Sequence, residues 1–128
     1  KSMGVDVFLG HATFTGLNTL SINNKTLDFT KCCIATGGRP RVPEIPGLDK
    51  VPYYTSDSIF NLRIQPKRML ILGGGPIAAE LGQAFQRLGT QVTFILRGDK
   101  FLPKEDRDAS HFLFTQLKKD GCKFEFKT

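Results

Sequence analysis

Lys67-Arg-Met-Leu-Ile-Leu-Gly-Gly-Gly-Pro-Ile-Ala-Ala-Glu-Leu-Gly82 decides how the rest of the chain is read. Met69 to Leu72 is an apolar run long enough for one buried strand and too short for a helix. It ends abruptly at Gly73-Gly74-Gly75, and Pro76 follows where a helix would begin. Proline costs nothing there, because its φ is already helical and the first amides of a helix lack internal partners. Beyond it Ile77, Leu81, Phe85 and Leu88 recur at helical spacing and predict one apolar face. Gly89 stops that helix, and Gln91 to Leu96 predicts a second strand.

Strand, glycine turn, helix and strand form a βαβ unit, and Gly73, Gly75 and Ala78 fit the fingerprint G-x-G-x-x-G/A. Gly73 permits the tight turn out of the strand. Gly75 lacks a Cβ, so a pyrophosphate can approach the free amides at the helix N-terminus, where Pro76 and Ile77 open the first turn. Ala78 is small enough for the helix to lie close on the strand, and Gly82 would extend that contact one turn later. A bare glycine triplet would read equally well as a plain loop. Its flanking elements favour a dinucleotide site.

The choice of nucleotide falls at the end of the second strand, in Val92-Thr-Phe-Ile-Leu-Arg-Gly-Asp-Lys100. An acidic residue there would accept from the ribose 2′-OH of NAD, whereas an arginine would pair with the 2′-phosphate of NADP. Arg97 holds that position and offers a fork of donors, and Lys100 adds a point charge, while Asp99 falls in the turn. The reading is NADP over NAD, against the alternative of a solvated basic loop.

The chain's 128 residues amount to about one domain by length. No run of eighteen apolar residues and no signal-like start is present, so neither a membrane span nor export is indicated. Three cysteines without a C-x-x-C spacing argue against a disulfide framework and for a reducing, cytoplasmic setting. The formal charge of +6 admits a polyanionic partner, but the basic residues are scattered among acids and no nucleic-acid motif accompanies them. A phosphorylated cofactor is the partner expected instead.

Upstream, Val5–Leu9, Ala12–Thr15, Asn18–Ile22 and Lys25–Phe29 predict an antiparallel meander over residues 5–30, turning at Asn23-Asn24. Lys31–Thr36 predicts a further strand with Cys32 and Cys33 on opposite faces, two small buried residues rather than a dithiol. Three prolines within Arg39–Gly47 enforce an extended connector. Thr55–Ser58 caps a short helix through Ile59, Phe60 and Leu62, and Pro66 closes it. Downstream, Lys104–Asp120 predicts a second helix with acids in its first turn and lysines in its last. Ala109, Phe112, Leu113, Gln116 and Leu117 form its expected inward stripe, with Phe114 off it. Cys122–Phe126 alternates as a third strand.

Two stretches carry a resemblance. Ile34-Ala-Thr-Gly-Gly-Arg-Pro-Arg-Val-Pro-Glu-Ile-Pro-Gly47 and Leu70-Ile-Leu-Gly-Gly-Gly-Pro-Ile-Ala-Ala-Glu-Leu81 together resemble the FAD- and NAD(P)H-dependent pyridine nucleotide-disulfide oxidoreductases. Pro76 in the turn and Arg97-Gly-Asp-Lys-Phe-Leu-Pro103 are most similar to the mercuric-reductase-like branch, with the glutathione-reductase-like branch beside it. The resemblance implies that Ala35, Thr36 and Gly37 lie near FAD and that His11 and Ala12 match a stretch near its adenine side. It implies that Glu80 pairs with a flavin-domain lysine near the isoalloxazine, and that the parent protein is a homodimer. There are departures. Glutathione-reductase-like members carry a flavin-gating tyrosine where Pro76 stands, and their second basic phosphate ligand has no match in place, leaving Lys100 or Lys104 to assist Arg97.

The family's first FAD glycine motif, its C-x-x-x-x-C redox pair, its later Gly-Asp motif and its dimer domain have no counterpart in these residues. The chain is therefore expected to be an interior segment without turnover of its own: residues 1–62 from an FAD domain, residues 63–128 from an NAD(P) domain. The expected class is α/β, a partial Rossmann-type parallel sheet preceded by the small antiparallel meander. Cut edges predict self-association. Two alternatives stay open: a stand-alone NADP(H)-binding module without turnover, and a basic interaction protein whose glycine turn is only structural.

Overall fold

The computed structural model describes residues 2–128, and they divide into two compact units that meet in sequence at Gly38 and Arg39. The proline-rich connector belongs to the second compact unit.

The first unit is an antiparallel sheet of three strands, β1 (Thr13–Gly16), β2 (Thr19–Ile22) and β3 (Lys25–Asp28), in sequence order. The β2–β3 hairpin turns at Asn23 and Asn24, both at positive φ, which asparagine tolerates better than other side-chain-bearing residues. Asn23 Nδ2 also donates to Leu9 O at 2.7 Å, tying the upstream segment to the turn. Val5–Leu9 forms no strand. Nor does Lys31–Thr36: a strand needs a ladder partner, and the structure gives this stretch none among the described residues. Cys32 and Cys33 are accordingly exposed rather than buried.

In the second unit the connector runs irregularly into single 3-10 turns at Leu48–Lys50 and Ile59–Asn61. The Ser58 hydroxyl accepts from the Thr55 amide at 2.9 Å but caps no helical amide, and in place of the expected helix a single turn forms at Ile59–Asn61. The Rossmann-type core follows: β4 (Arg68–Leu72), α1 (Pro76–Arg87), β5 (Gln91–Leu96), α2 (Arg107–Lys119) and β6 (Lys123–Phe126). Its three strands are parallel in the order β4-β5-β6.

Both helices cover one face of that sheet. Val92, Phe94 and Leu96 alternate inward from β5 and are all buried. Phe94 stacks on Phe124 of β6 with centroids 4.7 Å apart, and Phe124 meets Phe114 of α2 edge-on at 4.7 Å. The opposite face carries Leu70 and Leu72, both exposed.

Helix α1 seats its smallest residues, not its largest. Ala79 and Gly82 are the buried positions, with Ala78 and Phe85 beside them. A Cβ on Gly82 would collide with the Phe94 ring and stand 3.0 Å from Ile71 Cδ1. That approach rotates the helix away from the expected stripe, leaving Ile77 57% and Leu88 69% exposed. The expected stripe of α2 holds at Leu113 and Leu117 and fails at Ala109 and Phe112. Phe114 turns inward to the aromatic cluster, Phe112 is 67% exposed, and Leu117 is fully buried. Asp106 caps α2 by accepting from the amides of Asp108 and Ala109.

Two polar ties hold the helix ends. Asp120 accepts from Gln83 Nε2 at 2.7 Å and Arg87 Nε at 2.9 Å, bracketing the end of α2 to α1. Thr90, fully buried, donates to Pro66 O at 2.8 Å and fixes the entry into β4.

Two predictions follow from this packing. In an ordinary helix Gly→Ala stabilises by up to about 1 kcal/mol. At Gly82 overpacking of about 1–3 kcal/mol outweighs it, so Gly82→Ala lowers stability in chemical denaturation; a rise would contradict the packing. Asp120 sits below the usual carboxylate range because Gln83, then Arg87, hydrogen-bond its charged form. Its contribution is therefore present above the ordinary carboxyl pKa and is lost as pH falls below about 4. Asp120→Asn should flatten the decline in stability between about pH 5 and about pH 3, read from melts against pH.

Candidate functional site

The candidate site lies at the C-terminal ends of β4 and β5. Gly73 donates to Ile95 O at 2.9 Å, extending the β4–β5 ladder one step beyond Leu72. Gly73 has φ 110°, a conformation that a side-chain-bearing residue rarely adopts, so glycine is required there by the backbone. Gly75 is the N-cap of α1 with extended backbone, and no side chain caps the helix. The first helical hydrogen bond runs from Ala79 N–H to Gly75 O at 3.0 Å. Pro76 has no amide proton, and the amides of Ile77 and Ala78 precede that bond without helical partners.

The three glycines are not equivalent. A Cβ on Gly74 would run into Leu96 and stand 2.9 Å from Phe101 Cδ2, so packing excludes it. A Cβ on Gly75 would meet nothing within 4 Å. Neither the fold nor the backbone angles of Gly75 demand glycine, and the space beside it opens onto the uncapped helix end. That arrangement fits an anion held by backbone amides and the helix dipole.

Arg97 and Lys100 follow β5 in an exposed loop of the same unit. The only ion pair among the described residues joins Arg87 and Asp120, which leaves both cations free for an anion. The structure thus brings Gly73, Gly75, Pro76, Ile77, Ala78, Arg97 and Lys100 to one end of one sheet. Ala12, Ala35, Thr36 and Gly37 belong to the other compact unit. There Ala35–Gly37 is exposed, irregular chain, with Gly37 at φ 70°. Glu80 is exposed one turn into α1.

Sequence reasoning missed Gly74 because the fingerprint treats its position as free. The clue available was Leu96 and Phe101, two large apolar residues that must pack somewhere near the turn. An open concavity of about 540 Å³ lies between the loop after β5 and α2; it shares Lys100 with the candidate site and is lined by Phe101, Arg107, His111 and Phe114 among others. It includes none of the turn's residues. An extended pyrophosphate rests on a surface of amides rather than in a deep cavity, so the turn remains the better candidate.

No group of three or more His, Cys, Asp or Glu that could hold a metal occurs among the described residues. No helix there is long and apolar enough to cross a membrane. Cys122 is buried, and burial followed by the Asp120 charge pushes its thiol up, away from the reactive thiolate.

A parallel βαβαβ sheet with a glycine-rich first turn is the arrangement of dinucleotide-binding folds. A family model described as pyridine nucleotide-disulphide oxidoreductase matches residues 1–128. Mercuric reductase of Staphylococcus aureus is 39% identical over 121 residues, covering 94% of this chain and 22% of that protein. Glutathione reductase of Nostoc sp. is 41% identical over 108 residues, covering 84% of this chain and 23% of its own. The solved HOCl-induced flavoprotein disulfide reductase RclA from Escherichia coli superposes with a TM-score of 0.80 at 34% identity, over 96% of this chain and 29% of that one. The chain belongs to the pyridine nucleotide-disulphide oxidoreductase family, and it spans roughly a quarter of the length of these relatives.

The unequal glycines predict unequal mutants. Gly75→Ala should leave stability within about 0.5 kcal/mol of wild type, whereas Gly73→Ala should cost about 1–3 kcal/mol for its backbone strain. Urea denaturation of the two variants distinguishes them, and equal losses would contradict the assignment.

Proposed function

We propose that this chain supplies the pyridine-nucleotide pyrophosphate turn of an NADPH-dependent flavoprotein reductase whose electrons end on a disulfide or a metal ion. One observation carries the reading: the open space at Gly75 above an uncapped helix N-terminus, at a position where the fold itself would accept a side chain. The amides of Ile77 and Ala78 would hold the pyrophosphate, and Arg97, aided by Lys100, would read the 2′-phosphate. On this reading residues 1–62 come from the FAD domain and residues 63–128 from the NAD(P) domain.

When bound, the nicotinamide supplies hydride and the flavin accepts it, while the protein binds and orients both. Ala35, Thr36 and Gly37 suit the flavin side, because their exposed backbone and the open space at Gly37 permit close approach. Ala12 would border its adenine half. Glu80, exposed on α1, would pair with a basic group near the flavin. The free thiols accord with a reducing, cytoplasmic setting. The apolar face of Leu70 and Leu72 and the outer edge of β4 favour self-association. Concentration-dependent sedimentation is the expected sign, and a clean monomer at all concentrations would count against it. The compactness of the second unit also suits a stand-alone NADP(H)-binding module, which would bind the nucleotide and never retain flavin.

Calorimetric titration with NADPH and NADH tests the proposal. NADPH should bind more tightly. Arg97→Ala should weaken NADPH about tenfold or more, the worth of a charge-assisted contact, while sparing NADH. Gly75→Ala should weaken both. A ratio that Arg97→Ala leaves unchanged would reject the phosphate role, and no binding of either nucleotide would reject the site.

A further inference from the structure

We infer that Gly74, Phe101 and Leu102 are positioning residues that set dinucleotide selectivity by clamping the Arg97–Lys100 loop onto the glycine turn. The inference rests on the nucleotide reading above, but its geometry stands apart from it.

The clamp has a polar and an apolar half. The Leu102 amide donates to Gly74 O at 2.9 Å, joining the loop's far end to the middle of the turn. Phe101 and Leu102 are both buried, and a Cβ on Gly74 would run first into Leu96 and then stand 2.9 Å from the Phe101 ring. Leu102 pays for this with a left-handed backbone, φ 51°. A leucine holds that conformation only where its surroundings over-determine it. Those surroundings are visible. Leu102 O accepts from Ser110 Oγ at 3.0 Å and from the Glu105 amide at 3.1 Å, so the start of α2 grips the same residue.

The near end of the loop is pinned independently. Leu96 O accepts from the Thr128 amide at 3.2 Å, and Gly98 O from the Lys127 amide at 3.1 Å. Arg97, Asp99 and Lys100 therefore hang on a short backbone fixed at both ends, with exposed side chains. A cation on a fixed backbone loses less freedom on meeting a phosphate than one on a loose loop. Its reach is also bounded by the place where the turn holds the pyrophosphate. Selectivity for the 2′-phosphate then depends on the distance from turn to loop, which Gly74, Phe101 and Leu102 define.

Titration of the full chain with NADPH and NADH, alongside melts and amide exchange, tests this. Gly74→Ala should displace Phe101 and lower the NADPH-to-NADH affinity ratio by about tenfold, one charge-assisted contact. Adding Leu96→Val, which shortens the nearest clashing side chain, should restore part of the ratio. Phe112→Ala, which truncates an exposed side chain on α2 away from the turn and loop, should keep it. A folded Gly74→Ala variant with the wild-type ratio would overturn the inference; a merely structural role would change the melt and leave the ratio alone. If Gly74→Ala does not fold, Leu102→Ala decides on the same criterion. If the wild-type chain binds neither nucleotide, the functional reading falls and the clamp is judged by exchange. Lost protection at the Leu102 amide in the variant supports it, and unaltered protection overturns it.

Discussion

The close seat of α1 on the sheet, where the Phe94 ring fills the room of a missing Cβ at Gly82, is the contact on which the second unit depends. Phe94 also stacks on Phe124 and meets Phe101 edge-on at 5.5 Å, so one ring joins the first helix, the third strand and the loop after β5. Through Phe101 the same packing reaches Gly74. Core packing and the shape of the glycine turn are therefore one problem, solved by two glycines on one side and three phenylalanines on the other. Protein interiors are dense enough that a single methyl at either glycine is felt throughout such a cluster.

The glycine triplet divides its work. Gly73 answers a backbone demand, Gly74 a packing demand, and Gly75 no demand the chain makes on itself. In sequence the three look redundant. In the structure only the third is left over once folding has been satisfied, and it borders the uncapped end of α1. That remainder is why the turn reads as a binding surface rather than as a connection between elements.

The elements around the turn were legible because each signal is local: an apolar run, a glycine stop, a proline at the first helical position. The asparagine hairpin and the alternation of β6 were legible for the same reason. Which residues at the margins of each helix's inward face turn in was not. Ile77 and Leu88 looked like core, but contact distance is set by the smallest residues, and Ala79 and Gly82 took the seat. Phe112 and Phe114 are neighbours on α2, and only the ring of Phe124 across the fold decides between them. Cys32 and Cys33 read as a buried strand from composition, yet a strand is a pairing and not a property of the segment. Leu102 escaped notice because a left-handed leucine has no sequence signature; it follows from contacts with Gly74 and Ser110 far apart in the chain.

The central claim is that the amides after the glycine turn form an anion seat. Amide resonances of the isotope-labelled chain, followed during titration with NADP+, test it most directly. The account predicts that Gly75, Ile77 and Ala78 shift first and together with Arg97. Shifts confined to the concavity lined by Arg107 and His111, with the turn unmoved, would contradict it.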